Sequence, residues 1–269
     1  MSSERLRTQV QFENIIGGNN PSVWQNATKN QIKNFGFNPA HVVILESALS
    51  SDSLDFYYKG LLSLYEGLAS ANKKNFSWAT VKLYYSLYYF LRTSLCCNKI
   101  AFVRKEKDGY YFETKPTKTP ISNGRPADHF AAIDLSKQFF GKTDFLQSNK
   151  IDGILPYDWM RHQRENVNYR HRTFFEPDIP TVWDVISQEC DNDGLEYWIG
   201  KYLNEDIYPF LEDHAILAIP LRRLKLTHSD LINQGFGIIV RPEKEEKLNG
   251  LINENRFLTL LRPFNRGRV

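Results

Sequence analysis

Chemistry at a phosphate ester calls for a group that moves a proton at the attacking or the leaving oxygen, and a fixed positive charge on the centre between them. Histidine and arginine suit those two tasks. One stretch of the 269-residue chain, Met160 to Arg172 (MRHQRENVNYRHR), concentrates four arginines, two histidines and one acidic residue. Read as an α-helix at about 100° per residue, it places Arg161, Arg164, Asn168, His171 and Arg172 within roughly a 100° arc. Arg164 and His171, seven residues apart, share one face, with Cα atoms about 10.5 Å apart at a rise of about 1.5 Å per residue. Histidine titrates near pH 6.5, and neighbouring arginines bias it toward the neutral form. A guanidinium stays charged and presents a fork suited to phosphate. Arg164 and His171 are therefore placed to act together on a phosphate, and Arg161, Asn168, Arg170, Arg172 and Glu165 are candidates for binding or positioning it. Asn166 and Tyr169 join the cleft side if the helix unwinds near its end.

Helices must position that stretch. From Leu54 to Ser70, apolar residues recur at three- and four-residue spacing (Leu54, Tyr57, Tyr58, Leu61, Leu62, Tyr65, Leu68), which predicts an amphipathic helix capped by Ser51 or Asp52. After Asn72-Lys73-Lys74-Asn75, Ser77 is expected to cap a second helix, Trp78 to Asn98, apolar almost all round and hence packed on more than one side. The two make an antiparallel hairpin. Ile100–Val103 and Tyr110–Thr114 then read as a β-hairpin with Asp108-Gly109 in its turn, followed by loop through Pro126. This basic, aromatic segment suits RNA, although charge runs more often make a solvated surface, the reading preferred for this hairpin. Asp128 is expected to cap a third helix through Phe139. Another helical region, Thr181 to Glu212, breaks at Asp191–Gly194.

The flanks carry less. Gly17–Pro21 is a breaker cluster before a short helix capped by Ser22, and Pro39 to Leu49 is a further short helix ending at Ser50–Ser53. Toward the other end, Ala215–Leu221 and Gly237–Val240 are expected as short strands and Glu243–Asn253 as helix. Three cysteines, two of them adjacent, make no disulfide framework, and no Cys or His pair has zinc-ligand spacing, so neither metal nor cofactor is expected. With no signal-like or long apolar run, a cytoplasmic protein without a membrane segment is expected. The net charge of +3 does not by itself indicate nucleic acid.

The order of these elements resembles the HEPN superfamily of ribonucleases. The likeness rests on a helical hairpin whose second helix carries Ala79 to Tyr89 (ATVKLYYSLYY), an insertion, a third helix, and then Arg164 followed by polar Glu165 and, after six intervening residues, His171. It covers roughly residues 52 to 212. Family members carry Arg, four to six residues and His, with Asn, Asp or His more common in the position of Glu165. The flanks bear a weaker resemblance to YaaC-like proteins. The resemblance implies a mainly α fold: a HEPN-like antiparallel bundle over 51–212 with a small β-hairpin insertion at 99–126, a lead-in over 1–50, and an extension over 213–269 of uncertain structure. It further implies a metal-independent endoribonuclease acting on tRNA or mRNA in a toxin or phage-defence setting, with an antitoxin or defence partner. Two copies would face each other so that Arg164 and His171 of both surround one phosphate, an interface that can also absorb surplus aromatic surface. The alternatives are a non-catalytic HEPN-like module binding RNA or protein, and a purely structural dimerisation protein.

Overall fold

Breakers and caps in the first residues set three short helices: α1 (Arg7–Gly17), α2 (Pro21–Asn26) and α3 (Lys29–Lys33). The computed structural model describes residues 5–124, 129–170, 173–205, 210–252 and 255–267, with the backbone but not the side chains of Arg170, Asn192, Asp193 and Asn255. Asn20, not Ser22, caps α2: its Oδ1 accepts the Ser22 N–H at 3.0 Å, with Pro21 at the first helical position. Thr28 and Gln31 form a reciprocal capping box on α3.

The expected break at Ser50–Ser53 does not occur. A single helix, α4 (Pro39–Asn72), runs through it. Its polar residues are satisfied without ending the helix: Ser51 Oγ donates to Ser47 O at 3.2 Å and Ser53 Oγ to Ser50 O at 2.7 Å. Asp52 is a cap, but for another helix. Its carboxylate accepts the Arg7 and Thr8 N–H groups at 2.9 and 2.8 Å, which fills two of the unpaired donors at the start of α1. The next helix, α5 (Phe76–Cys97), begins before Ser77, whose N and Oγ donate to the Glu176 carboxylate at 2.7 and 2.8 Å.

Strands β1 (Ile100–Lys105) and β2 (Asp108–Glu113) pair antiparallel from Ile100↔Glu113 to Lys105↔Asp108. The turn is therefore Glu106-Lys107 rather than Asp108-Gly109, with Glu106 in the left-handed region at φ 53°. Asp108 stays in the strand, 2.8 Å from Lys29 Nζ, and Gly109 pairs with Arg104. A third strand, β3 (Ile121–Ser122), lies where loop was expected and pairs Tyr110↔Ser122 and Tyr111↔Ile121. Helix α6 (His129–Phe140) follows; its expected cap, Asp128, lies outside the described residues.

The chain divides into two compact units, Met1–Phe56 with Arg92–Ser136, and Tyr57–Leu91 with Lys137–Val269. The first has an aromatic core. The Phe112 ring meets Phe12 at 5.5 Å and Phe37 at 4.5 Å, and Phe12 meets Trp24 edge-on at 5.6 Å.

The second unit is built on the hairpin of α4 and α5. Two glycines set its closeness: a Cβ on Gly60 would meet Phe90 Cε1 at 2.5 Å, and one on Gly67 would meet Leu83 at 3.0 Å. Those pairings run in opposite directions along the two helices, as an antiparallel hairpin requires. Around it stand α7 (Pro156–Glu165), α8 (Asp184–Asp193), α9 (Leu195–Asn204), α10 (Ala215–Asn233), α11 (Pro242–Asn249) and α12 (Asn255–Leu261). The expected break near Asp191–Gly194 falls at Gly194, with φ 81° between α8 and α9; Ile207 lies outside the described residues.

Ala215–Leu221 is helix, not strand. Every residue of that run is buried, and an apolar run without periodicity reads equally well as either element. The other expected strand, Gly237–Val240, contributes one isolated bridge, Ile238↔Arg266. Among the described residues no helix is long and apolar enough to cross a membrane.

Candidate functional site

Helix α7 has an inner face and an outer one. Tyr157, Trp159 and Met160 are buried and Pro156 starts the helix, so Arg161, Arg164 and Glu165 fall on the half-exposed side. After Glu165 the helix opens into a π-helical turn over Asn166–Arg170. Its i→i+5 pattern changes the rotation per residue, so the 100° wheel that aligned Arg164 with Asn168 does not extend past Glu165. Val167 is buried, Asn168 is half-buried, and Tyr169 is 71% exposed.

Arg164 is held by tyrosines. Its Nη2 donates to Tyr85 Oη at 2.9 Å, and the guanidinium lies 5.0 Å from the ring of Tyr169, 5.5 Å from Tyr85 and 5.9 Å from Tyr84. These are cation–π distances. Burial opposes its charge, but the hydrogen bond to Tyr85 and the surrounding phenols hold its pKa above the ordinary arginine value. Burial also pushes the Tyr84 phenol up, with Arg164 pulling it back, so Tyr84 stays neutral. Among the described residues Arg164 has no carboxylate partner, and its buried Nε has no hydrogen-bond partner. A charged donor group in that state favours an anion.

Arg161, one turn earlier, is in a different condition. Its Nη1 lies 3.4 Å from Glu165 Oε1 and its Nη2 3.7 Å from Asp158 Oδ1, and Asp158 also takes Lys137 at 2.6 Å. Arg161 Nη2 further lies 3.1 Å from His162 Nε2. Its charge is matched within the protein, and Glu165 is turned toward that match. The structure thus brings Arg161 and Glu165 together, and Arg164 with Tyr85 and Tyr169. His171 and Arg172 lie outside the described residues, as does the side chain of Arg170.

Sequence reasoning passed over Tyr85 as a partner of Arg164. The signal is present as the spacing Trp78, Lys82, Tyr85, Tyr89 along α5, but a helix that is apolar almost all round does not show which of its sides stays uncovered. Trp78 is in fact 48% exposed, edge-on to Phe174 at 5.2 Å, and Tyr85 stacks on Tyr89 at 6.3 Å.

Two other polar clusters of this unit are structural. Asp144 Oδ2 receives Tyr157 Oη and Arg223 Nη1, the latter at 3.0 Å, while Arg223 Nε donates to Thr227 Oγ1 at 3.2 Å and Nη2 lies 3.6 Å from Asp230. Asp144 and Arg223 side chains are each 3% exposed, which leaves a substrate no access. His214, 1% exposed, meets Tyr202 Oη through Nδ1 at 2.9 Å and has Nε2 2.7 Å from Glu189. Burial pushes its pKa down against the pull of Glu189. Among the described residues no group of three or more His, Cys, Asp or Glu side chains is arranged to hold a metal. Compared with known protein families, with curated proteins and with solved structures, the chain has no match.

Proposed function

We propose that the chain is a HEPN-type, metal-independent endoribonuclease, with Arg164 as the charge on the scissile phosphate and His171 as the proton-transfer group. The observation that carries the reading is the state of Arg164. It is a fixed guanidinium on a half-exposed helix face, oriented by Tyr85, flanked by rings and free of any carboxylate among the described residues. A developing phosphorane is dianionic and needs such a preorganised cation. The helical hairpin followed by an arginine-bearing helix is the element order that the resemblance requires. In this reading Arg161, Asn168, Arg170 and Arg172 position RNA, and Glu165 keeps Arg161 in place. Two copies form the composite cleft, with tRNA or mRNA as substrate and an antitoxin or defence partner as restraint.

The test is direct. Purified protein is incubated with total RNA or tRNA in EDTA, beside Arg164→Ala and His171→Ala. Cleavage by the wild type that both substitutions abolish, with folding retained, supports the nuclease; a wild type inert on every RNA leaves a binding module instead.

A further inference from the structure

The turn between α4 and α5 does not seal against the helices beside it. A cavity of about 220 Å³ opens there within the second unit, walled by Ala71 and Phe76 on either side of the turn, by Trp183 and Ile186 at the start of α8, and by Leu195 at the start of α9. None of these five side chains is more than 6% exposed. The Phe76 and Trp183 rings stack at 4.9 Å, and Trp183 Nε1 donates to Thr80 Oγ1 at 2.9 Å, so the indole brings no spare polar group to the wall.

One polar side chain interrupts this apolar lining. Ser187, one turn beyond Trp183 on α8, lines the cavity and is 4% exposed. Among the described residues its hydroxyl has no hydrogen-bond partner. Other helical serines of the unit turn theirs back on the backbone, as Ser70 does on Glu66 O at 2.8 Å and Ser86 on Leu83 O at 2.7 Å. A hydroxyl enclosed in this way can donate or accept, and it gains a bond from whatever polar group reaches it. The rim is charged but balanced. Lys74 and Asp191 pair at the mouth at 2.9 Å, and Glu196 pairs with Arg256 at 3.0 Å. Among the described residues of the rim an ionic ligand finds no unmatched partner, and its charge would be costly against the apolar wall. The Lys74–Asp191 pair is more than half exposed on both sides, and such pairs hold little energy, so it can part to admit a guest.

We infer that this cavity binds a small neutral aromatic molecule, of two fused rings with a single hydrogen-bonding group, whose rings lie against Phe76, Trp183 and Leu195 and whose polar group meets Ser187 Oγ. Size sets the first limit: apolar cavities of about 150 Å³ accept benzene, so about 220 Å³ has room for a second ring. Chemistry sets the other, because a further polar group buried with the ligand would have no partner. The inference goes beyond the nuclease reading and does not rest on it, since none of the residues assigned to RNA lines the cavity.

A cysteine supplies the readout. Cys190, one turn beyond Ser187, also lines the cavity, is half-buried and is in no disulfide, whereas Cys96 and Cys97 are buried, so its alkylation reports occupancy at this place. The full chain is treated with iodoacetamide, and modification of Cys190 is followed by mass spectrometry with and without indole as the probe. At about ten times its Kd, indole is expected to slow that modification about tenfold. Indene, the same shape without the N–H, is expected to bind about five- to tenfold more weakly by calorimetry. Ser187→Ala should erase the difference between the two, and Ala71→Leu, which fills the cavity, should abolish protection; circular dichroism checks the folding of both. No protection by indole up to its solubility limit, binding of indene as tight as that of indole, or a preference that survives Ser187→Ala overturns the inference. So does protection that persists in a folded Ala71→Leu variant. Should that variant not fold, the comparison in Ser187→Ala decides alone.

Discussion

Two arginines of one unit meet tyrosine in opposite settings. Arg223 is enclosed with Tyr157, and Asp144 and Asp230 match its charge. Arg164 is half-exposed and meets Tyr85, Tyr84 and Tyr169, with no carboxylate among the described residues. Phenol oxygens and ring faces orient a guanidinium without neutralising it, whereas a carboxylate does both. The first arrangement consumes the charge in holding helices together, and the second leaves it available to an incoming anion. Arg161, between Asp158 and Glu165, sits nearer the first kind.

The largest effect expected from breaking this contrast is on stability. Arg223→Ala takes the cation from the buried Asp144 carboxylate and should cost about 3–5 kcal/mol, read as a lower urea midpoint. Arg223→Met combined with Asp144→Asn should cost much less, because no buried charge is stranded; an equal loss would mean that the ions are not what stabilises the network. Next comes Arg164→Ala. On the proposed nuclease reading it should reduce RNA cleavage by about 10²–10³-fold, while costing only about 1–2 kcal/mol of stability, the worth of one hydrogen bond and its ring contacts. A stability loss as large as that of Arg223→Ala would erase the distinction between the two sites. Tyr85→Phe sharpens it further. Removing the hydroxyl that orients Arg164 should cost about 0.5–1.5 kcal/mol and, on the same proposal, lower cleavage by several-fold without abolishing it.

The smallest effect is a pH dependence. Burial pushes His214 and His228 below their ordinary values, the second against a hydrogen bond to the Arg266 carbonyl. The folded state therefore holds fewer protons than the unfolded one just below pH 6.5, and stability rises with pH there. The contribution is complete above about pH 6.5 and is lost as pH falls from there through the lowered folded values. Thermal melts across that window should show the fall, and His228→Gln should shallow it.

Much of this architecture is legible from residues alone. The paired periodicity of Leu54–Ser70 and Trp78–Asn98 makes the hairpin readable, and Arg164 is recognisable by type. What escapes is whatever depends on contacts distant in sequence. Ser50–Ser53 looks like punctuation until Asp52 is seen to cap α1, forty-five residues earlier in the chain. Ser77 looks like a cap until Glu176 supplies one. Where Asn168 falls relative to Arg164 is set by a π-turn in the backbone, which no wheel of fixed step anticipates. The tyrosines around Arg164 escape for the same reason: Tyr85 lies seventy-nine residues away, and an aromatic helix looks identical in sequence whether its outer face is covered or open.

One lysine of the first unit offers a practical handle. Lys105 Nζ donates to the carbonyls of Trp24, Gln25 and Ala27 at 2.7, 3.0 and 2.5 Å, over the Trp24 ring at 4.9 Å. All three ammonium protons are thereby committed. An amine must shed a proton and turn outward before it can attack an acylating reagent, so Lys105 should label slowly while α2 and β1 stay together. Its acylation rate, followed by mass spectrometry against that of an exposed lysine, becomes a clock for the local opening of this one corner of the protein.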